Sequence, residues 1–251
     1  MTTTIITIAN QKGGVGKTTT AVSLAHGLAL RDRRVLLADL DPQGQCAIAL
    51  AINPEAGAFQ ALVNSKSDVH QWFRETGRSG LDLLPGDRTT ATAQIVINAE
   101  NRPIDSIRQV FKSVLREYDF IIFDTAPSVG GIQERALFAA DLILIPSATE
   151  FFSMDGLLRT MQLLHILQEQ FDWKGKLLGI LPTFYDEETK ESAKSMADLL
   201  EKFGENLLRP IHRATILREC PSEGKTIYEK DPASRSSREY EDFTREVVRK
   251  S

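Results

Sequence analysis

The segment QKGGVGKTT, residues 11–19, is compatible with few protein folds. It stands between a continuous apolar run at residues 5–9 and a helical pattern that begins near Lys17. Glycine has no Cβ, so its backbone N–H group lies open to a ligand, and a helix N-terminus adds a positive dipole. A strand, a glycine-rich loop and a helix in this order predict a cradle for phosphate groups. A glycine-rich turn with an accidental lysine is the alternative, and this context disfavours it.

Apolar runs and helical patterns alternate along the chain. The runs cover residues 5–9, 35–39, 81–84, 120–124, 142–146, 177–181 and 207–211. They are continuous, which is typical of strands that are covered on both faces. Helical patterns cover residues 17–31, 104–117, 157–170 and 190–203. We predict an α/β fold with a doubly wound, mainly parallel sheet flanked by helices, and a single domain over residues 1–251 because no linker-like stretch divides the chain.

The composition is that of an ordinary soluble protein, with 42% hydrophobic and 25% charged residues. We find neither an apolar run of about 18 residues, as a membrane-spanning helix requires, nor a secretory signal pattern, and we expect a cytoplasmic protein. The formal charge of −4 argues against a strongly basic surface but allows a local basic face. Cys46 and Cys220 fit neither a disulfide framework nor a zinc site, so we interpret them as packing or surface thiols.

The residues of the loop have distinct expected roles. Lys17 would reach the β and γ phosphates of a nucleotide, and the Thr18 hydroxyl would ligate Mg²⁺. The predicted nucleotide-binding residues are Gly13, Gly14, Val15, Gly16, Lys17, Thr18 and Thr19.

Carboxylates follow two of the apolar runs. Asp39 and Asp41 are two residues apart, and alternation along a strand places both on the side where α/β sheets bind ligands. One of them can orient water or Mg²⁺, and capping of the following turn is the other interpretation. Asp124 ends a strand of apolar residues, where a buried carboxylate is costly without a cation or hydrogen-bond donors. We predict Mg²⁺, contacted through water, as its partner.

The loop departs from the general pattern GxxxxGK[ST], because Gln11 replaces the first glycine and a second lysine, Lys12, follows it. In this form KGGVGKTT resembles the deviant Walker A loop of the ParA/MinD ATPases. The resemblance implies a homodimer that sandwiches two ATP molecules, with Lys12 of each subunit on phosphate in the partner's site. A monomer would then hydrolyse ATP poorly, because half of the charge stabilisation comes from the other chain. A solvated lysine is the alternative for Lys12.

Two further segments extend the resemblance. Residues 39–45, DLDPQGQ, are similar to the family's DxDPQGN, in which the second aspartate activates water. The resemblance thus makes Asp41 catalytic along with Lys12 and Lys17, and we also place it among the metal-binding residues with Thr18 and Asp124. Residues 146–157 resemble a loop that opens a helix at the dimer face, where Asp155 either pairs with Lys12 or caps the helix.

Contacts to adenine are expected by resemblance alone. Relatives place a Thr-x-x-Asp segment near the base, and here it includes Thr183 and Phe184. Where relatives have Ile-Pro-x-Asn, this chain has His212 at the proline position. His212 either stacks on the base or is an ordinary loop histidine.

The resemblance is closest to the ParA group, because residues 219–225 and 231–234 look like its EAPSxGKP and DPxS stretches. It implies an ATPase that binds double-stranded DNA nonspecifically in its ATP state and associates with the nucleoid. It also implies a ParB-type protein or cargo adaptor that stimulates hydrolysis. The cargo would be a plasmid, a chromosome or, as for related ATPases, an assembly such as a carboxysome.

Nonspecific DNA binding needs several basic side chains on one face. Residues 209–251 contain ten basic and eight acidic side chains, a mild excess. The candidates are Arg213, Arg218, Lys225, Arg235 and Arg238, and a solvated surface explains each equally well. Relatives often have an arginine where this chain has Glu187–Glu188, and another at Ile216, so we expect a rearranged or weaker DNA-contacting set.

The main alternative is a membrane-cycling ATPase of the MinD kind. The last helix has Tyr240, Phe243 and Val247 on one side, but its polar residues include four acids that an anionic leaflet would repel. We therefore predict that this stripe packs against the domain and that the protein binds no membrane. An iron–sulfur reductase and an arsenite-pump ATPase are disfavoured by the positions and number of the cysteines.

Overall fold

The computed structural model describes residues 3–64, 68–128, 130–150 and 153–251. The strands are β1 (Thr4–Ile8), β2 (Val35–Leu40), β3 (Arg74–Arg78), β4 (Leu81–Leu84), β5 (Phe120–Thr125), β6 (Leu142–Ala148) and β7 (Lys176–Thr183). The α-helices are α1 (Lys17–Ala29), α2 (Gln45–Ala49), α3 (Gly57–Val63), α4 (Thr89–Ala99), α5 (Ser106–Val110), α6 (Ile132–Ala139), α7 (Ser153–Phe171), α8 (Lys190–Phe203), α9 (Ile216–Glu219), α10 (Ile227–Lys230) and α11 (Arg235–Lys250).

The strands form one sheet in the order β3-β4-β2-β5-β1-β6-β7. Every neighbouring pair is parallel except β3 with β4. The predicted doubly wound, mainly parallel sheet is confirmed. Because parallel strands end at the same edge, the loops after β1, β2 and β5 meet above the middle of the sheet.

Hydrophobic residues cover both faces of the sheet. Successive strand residues point to opposite faces, so Ile5 packs with α3 to α7, whereas Ile6 packs with α1, α2 and the last helices. Side chains of β2, β5 and β6 divide between the same two clusters. Continuous apolar runs are therefore required along the central strands, as the sequence indicated.

Three predictions about single elements were wrong or incomplete. Residues 207–211 do not form a strand: Leu208 and Ile211 donate to carbonyls of β7, but Pro210 has no N–H group, and only isolated bridges remain. Strand β3, an antiparallel edge strand of polar residues, was missed because it has no apolar pattern. The helix predicted at residues 104–117 is broken at Phe111 into α5 and a 3₁₀ turn.

The last helix packs on the domain. Tyr240, Phe243 and Val247 are all buried against the layer that contains α1, and the Tyr240 hydroxyl lies 3.4 Å from Thr20 Oγ1. This confirms the packing prediction for the apolar stripe. Within the described ranges, no helix has both the length and the hydropathy that crossing a membrane requires.

Phe111 tests the packing of the core. Its ring is fully buried and lies 4.9 Å, centroid to centroid, from the ring of Phe123. Phe111→Ala should lower the free energy of unfolding by about 3–5 kcal/mol, because a cavity remains. Leu200→Ala, at a side chain that is 60% exposed, is the control and should change it by less than about 0.5 kcal/mol. Urea unfolding measures both, and equal losses would contradict the assigned core.

Candidate functional site

The glycine-rich loop joins the end of β1 to α1. Gly14 and Gly16 have φ of 73° and 82°, in the left-handed region that favours glycine. Gly16 is the N-cap of α1, where no side chain from the described residues caps the helix, and the first turn contains no acidic residue. The first N–H groups of the helix are therefore free to bind an anion.

Lys17 is buried at the first position of α1, with 6% of its surface exposed. Its Nζ donates to the Lys12 carbonyl at 3.0 Å. Burial lowers the pKa of Lys17, and the nearby carboxylates of Asp124 and Asp41 act in the opposite direction. The ammonium group thus lies within electrostatic range of both predicted metal-binding acids.

Asp124 is fully buried at the end of β5. Its Oδ2 accepts hydrogen bonds from Thr18 Oγ1 at 2.7 Å and from Cys46 Sγ at 3.3 Å. Its Oδ1 has no hydrogen-bond partner among the described residues. Burial raises the pKa of Asp124. A buried carboxylate oxygen without a donor, beside a threonine hydroxyl, is an arrangement that fits Mg²⁺.

Asp39 and Asp41 have different surroundings although both follow β2. Asp39 is fully buried, is the register partner of Asp124, and accepts the N–H groups of Asp41 at 3.1 Å and Cys46 at 2.9 Å. It therefore holds the turn and the start of α2, as the capping interpretation proposed. Asp41 is half-buried, and its Oδ1 accepts the Gln43 N–H at 2.9 Å. Asp41 is thus the carboxylate that lies nearer to solvent.

Two residues that the sequence did not single out, Asn10 and Thr160, hold the backbone of Gln11 and Lys12 in place. Asn10 accepts the Lys12 N–H at 2.9 Å and donates to a β6 carbonyl at 2.8 Å. Thr160 accepts the Gln11 N–H at 3.1 Å and donates to the Gly156 carbonyl at 2.8 Å. These contacts join segments that are far apart in the chain, and no spacing in the sequence indicates them.

The Lys12 side chain is half-buried, and no ion pair joins it to a carboxylate in the part of the chain that the structure describes. In particular, the alternative pairing with Asp155 is absent, and Asp155 is exposed on the first turn of α7. Residues 151 and 152 of the loop that resembles the dimer face lie outside the described residues. The backbone of Lys12 is thus fixed by hydrogen bonds while its side chain remains available.

The residues predicted to lie near adenine fall into two groups. Thr183 and Phe184 lie against the loop: Thr183 Oγ1 donates to the Val15 carbonyl at 2.9 Å, and both side chains lie next to Gly16. His212 instead contacts Glu239 through Nδ1 at 2.6 Å and Glu187 through Nε2 at 2.7 Å. These contacts with two glutamates account for the position of His212 without a base, and its stacking on adenine stays a prediction.

The five DNA-binding candidates do not form a free basic face. Arg213 pairs with Glu150 at 2.8 Å, and Lys225 pairs with Glu223 at 3.3 Å. Arg235 pairs with two glutamates. Arg218 and Arg238 are exposed and make no ion pair with any described residue. Acidic neighbours thus pair with three of the five candidates, and a rearranged or weaker DNA-contacting set stays a prediction.

Comparisons with known proteins find a matching family and relatives that align along nearly the whole chain. A family model described as an AAA domain matches residues 3–177. The chromosome partitioning protein ParA of Myxococcus xanthus is 34% identical over 251 residues, which cover 98% of this chain and 88% of the relative.

Solved structures share the fold. Apo McdA of Cyanothece has a TM-score of 0.88 at 22% identity, with 98% of this chain and 99% of that chain covered. A cobyrinic acid a,c-diamide synthase of Mycobacterium smegmatis, solved with a bound ATP analogue and magnesium, has a TM-score of 0.84 at 27% identity, with 98% and 95% covered.

Gly156→Ala tests how α7 supports the loop. A Cβ at this position would lie 2.5 Å from Asn10 Oδ1, 2.6 Å from Lys12 Cβ and 2.9 Å from the Lys12 nitrogen. Because the last contact is with backbone, the loop must shift, and we expect the rise in melting temperature on adding Mg-ATP to fall by more than half. Asp155→Ala, on the same turn but exposed, should keep the full rise. An unchanged rise in Gly156→Ala would show that the loop tolerates displacement.

Proposed function

Because this chain belongs to the ParA/MinD superfamily of P-loop ATPases, and within it to the ParA group, we propose that it dimerises around ATP, binds DNA nonspecifically in that state and positions or segregates a cargo. The proposal rests on one observation: the two lysines of the loop have different surroundings. Lys17 is buried in its own site, whereas Lys12 has a fixed backbone and a side chain without an ion pair among the described residues.

ATP and Mg²⁺ are the cofactors that this site fits. The N–H groups of residues 13–19 would contact the phosphates, and Lys17 would neutralise the terminal ones. Thr18, Asp124 and Asp41 would hold Mg²⁺, which when bound supplies positive charge to the phosphate oxygens. Thr183 and Phe184 would lie beside the base, because they contact the loop at Gly16.

The hydrolytic step assigns separate roles to the chain's own carboxylate and lysine. Asp41, the less buried of the two aspartates after β2, would accept a proton from the attacking water and orient it. Lys12 from the partner subunit would stabilise the negative charge that develops on the transferred group. Each site is then incomplete in a monomer, which makes hydrolysis depend on dimerisation.

The DNA-bound state would use the basic residues that make no ion pair with a described acidic side chain. Of the candidates, Arg218 and Arg238 meet this condition within the described ranges. A ParB-type protein or cargo adaptor would stimulate hydrolysis and release the dimer from the nucleoid. The cargo can be a plasmid, a chromosome or a large assembly, since the ParA fold serves all three.

Three single substitutions separate binding, dimerisation and hydrolysis. Lys17→Ala should abolish nucleotide binding, because it removes the buried cation of the site. Lys12→Ala should bind ATP as a monomer with an affinity within about threefold of the wild type but form no dimer. Asp41→Ala should bind ATP and accumulate as a dimer, because hydrolysis is blocked. Calorimetry with an ATP analogue and size-exclusion chromatography with light scattering measure these outcomes.

Lys176→Ala is the matched control, since Lys176 is exposed at the opposite end of the sheet, where β7 begins. It should behave as the wild type in every assay. A Lys12→Ala protein that still dimerises with ATP, or an Asp41→Ala protein that stays monomeric, would contradict the proposed sandwich.

DNA binding should require ATP and weaken steeply with salt, because its energy comes from counterion release. Replacing Arg218 and Arg238 together by alanine should reduce the slope of log K against log salt by about two. Arg116→Ala, exposed before β5 and far from the loop edge, should leave the slope unchanged. Fluorescence anisotropy on a random duplex provides the measurement, and binding that ignores ATP would exclude the proposed switch.

A further inference from the structure

Three potential metal-binding side chains meet behind the phosphate loop. Asp39 at the end of β2, Cys46 in α2 and Asp124 at the end of β5 are all fully buried. One carboxylate oxygen of each aspartate and the Cys46 sulfur all lie within 4.8 Å of one another. Asp39 and Cys46 have no part in the nucleotide contacts proposed above, so the cluster contains two groups that the ATPase cycle leaves unused.

One oxygen of the cluster is buried and has no hydrogen-bond donor among the described residues. Asp124 Oδ1 is buried without a hydrogen-bond partner among the described residues, although Oδ2 has two donors. Asp39 lies directly opposite Asp124 in the β2–β5 register, so two carboxylates share a small volume from which water is excluded. Two ionised carboxylates in such a place repel each other, and a cation between them would offset that repulsion.

We propose that Asp39, Cys46 and Asp124 bind a thiophilic divalent cation such as Zn²⁺ or Cd²⁺. Sulfur is a soft ligand that hard ions such as Mg²⁺ do not favour, whereas zinc-type ions combine thiolate and carboxylate ligands. Zinc sites with three protein ligands keep a fourth position for water. The metal–sulfur bond replaces the S–H bond, and the thiol proton passes to the buffer.

The charges of the site balance with such an ion. Two carboxylates and a thiolate carry three negative charges, which the divalent cation and the Lys17 ammonium together neutralise. The site therefore suits a divalent cation better than a monovalent one.

The surroundings hold the ligands in place. Asp39 is oriented by the N–H groups of Asp41 and Cys46, and Asp124 by the Thr18 hydroxyl. Such second contacts fix ligand geometry in metal sites. Because Asp124 and Thr18 also belong to the proposed Mg²⁺ site, the soft ion would compete with Mg-ATP; this consequence alone rests on the proposed function.

Cadmium is the probe that tests the site, because a cadmium–thiolate bond gives an ultraviolet charge-transfer band. We expect the nucleotide-free full chain to take up a single cadmium ion with this band, and Zn²⁺ to remove the band while Mg²⁺ does not. Native mass spectrometry gives the stoichiometry. The assay needs no nucleotide, so its result is independent of whether the chain hydrolyses ATP.

The two cysteines provide a matched pair of variants. Cys46→Ser should lose the band, and Cys220→Ser should keep it, because the buried Cys220 belongs to no such cluster in the described chain. If Cys46→Ser does not fold, Cys46→Ala serves instead, as alanines flank this face of α2. No band in the wild type, a band that survives in either Cys46 variant, or displacement by Mg²⁺ at equal concentration would each overturn the proposal.

Discussion

The functional site depends on charged side chains that are buried at the edge of the sheet where β1, β2 and β5 end. Lys17, Asp39 and Asp124 are almost completely removed from water, although each is costly to desolvate. The attraction between Lys17 and Asp124 and the backbone N–H groups on Asp39 offset part of that cost, but Asp39 and Asp124 repel each other, and one oxygen of Asp124 has no donor among the described residues. An anion bound together with its cation would supply the missing interactions, so the ligated site is more stable than the unliganded one. Ligand binding should therefore stabilise the whole fold.

The fold creates this concentration of charge through the register of the sheet. Parallel pairing of β2 with β5 places Asp39 opposite Asp124, and β1 on the other side of β5 leads into the glycine-rich loop. Helix α7 then approaches so closely that Gly156 leaves no space for a Cβ beside Lys12. The position of the loop is consequently set by the packing of a helix more than a hundred residues away in the chain.

The sequence predicted those features of the structure that depend on neighbouring residues. The loop, the central strands and Asp124 follow from glycine spacing, apolar runs and a charge at a strand end. The strand predicted at residues 207–211 does not form, because the proline in it has no N–H group. The polar edge strand β3 was missed because it has no apolar periodicity. The contacts of Asn10 and Thr160, and the ion pairs that neutralise Arg213 and Arg235, join distant segments. No spacing in the sequence records such pairings, because the tertiary fold alone creates them.

The hydrogen bond from Lys17 to the Lys12 carbonyl connects the two lysines. An ammonium group has three donors, so Lys17 can keep this carbonyl and still contact phosphate oxygens. Nucleotide binding therefore does not need to release the backbone of Lys12, which Asn10 holds from the other side. A lysine whose backbone is already fixed loses less conformational entropy when its side chain contacts a phosphate across an interface. In the proposed dimer, the loop that binds one nucleotide would thus be preorganised to complete the site of the second subunit.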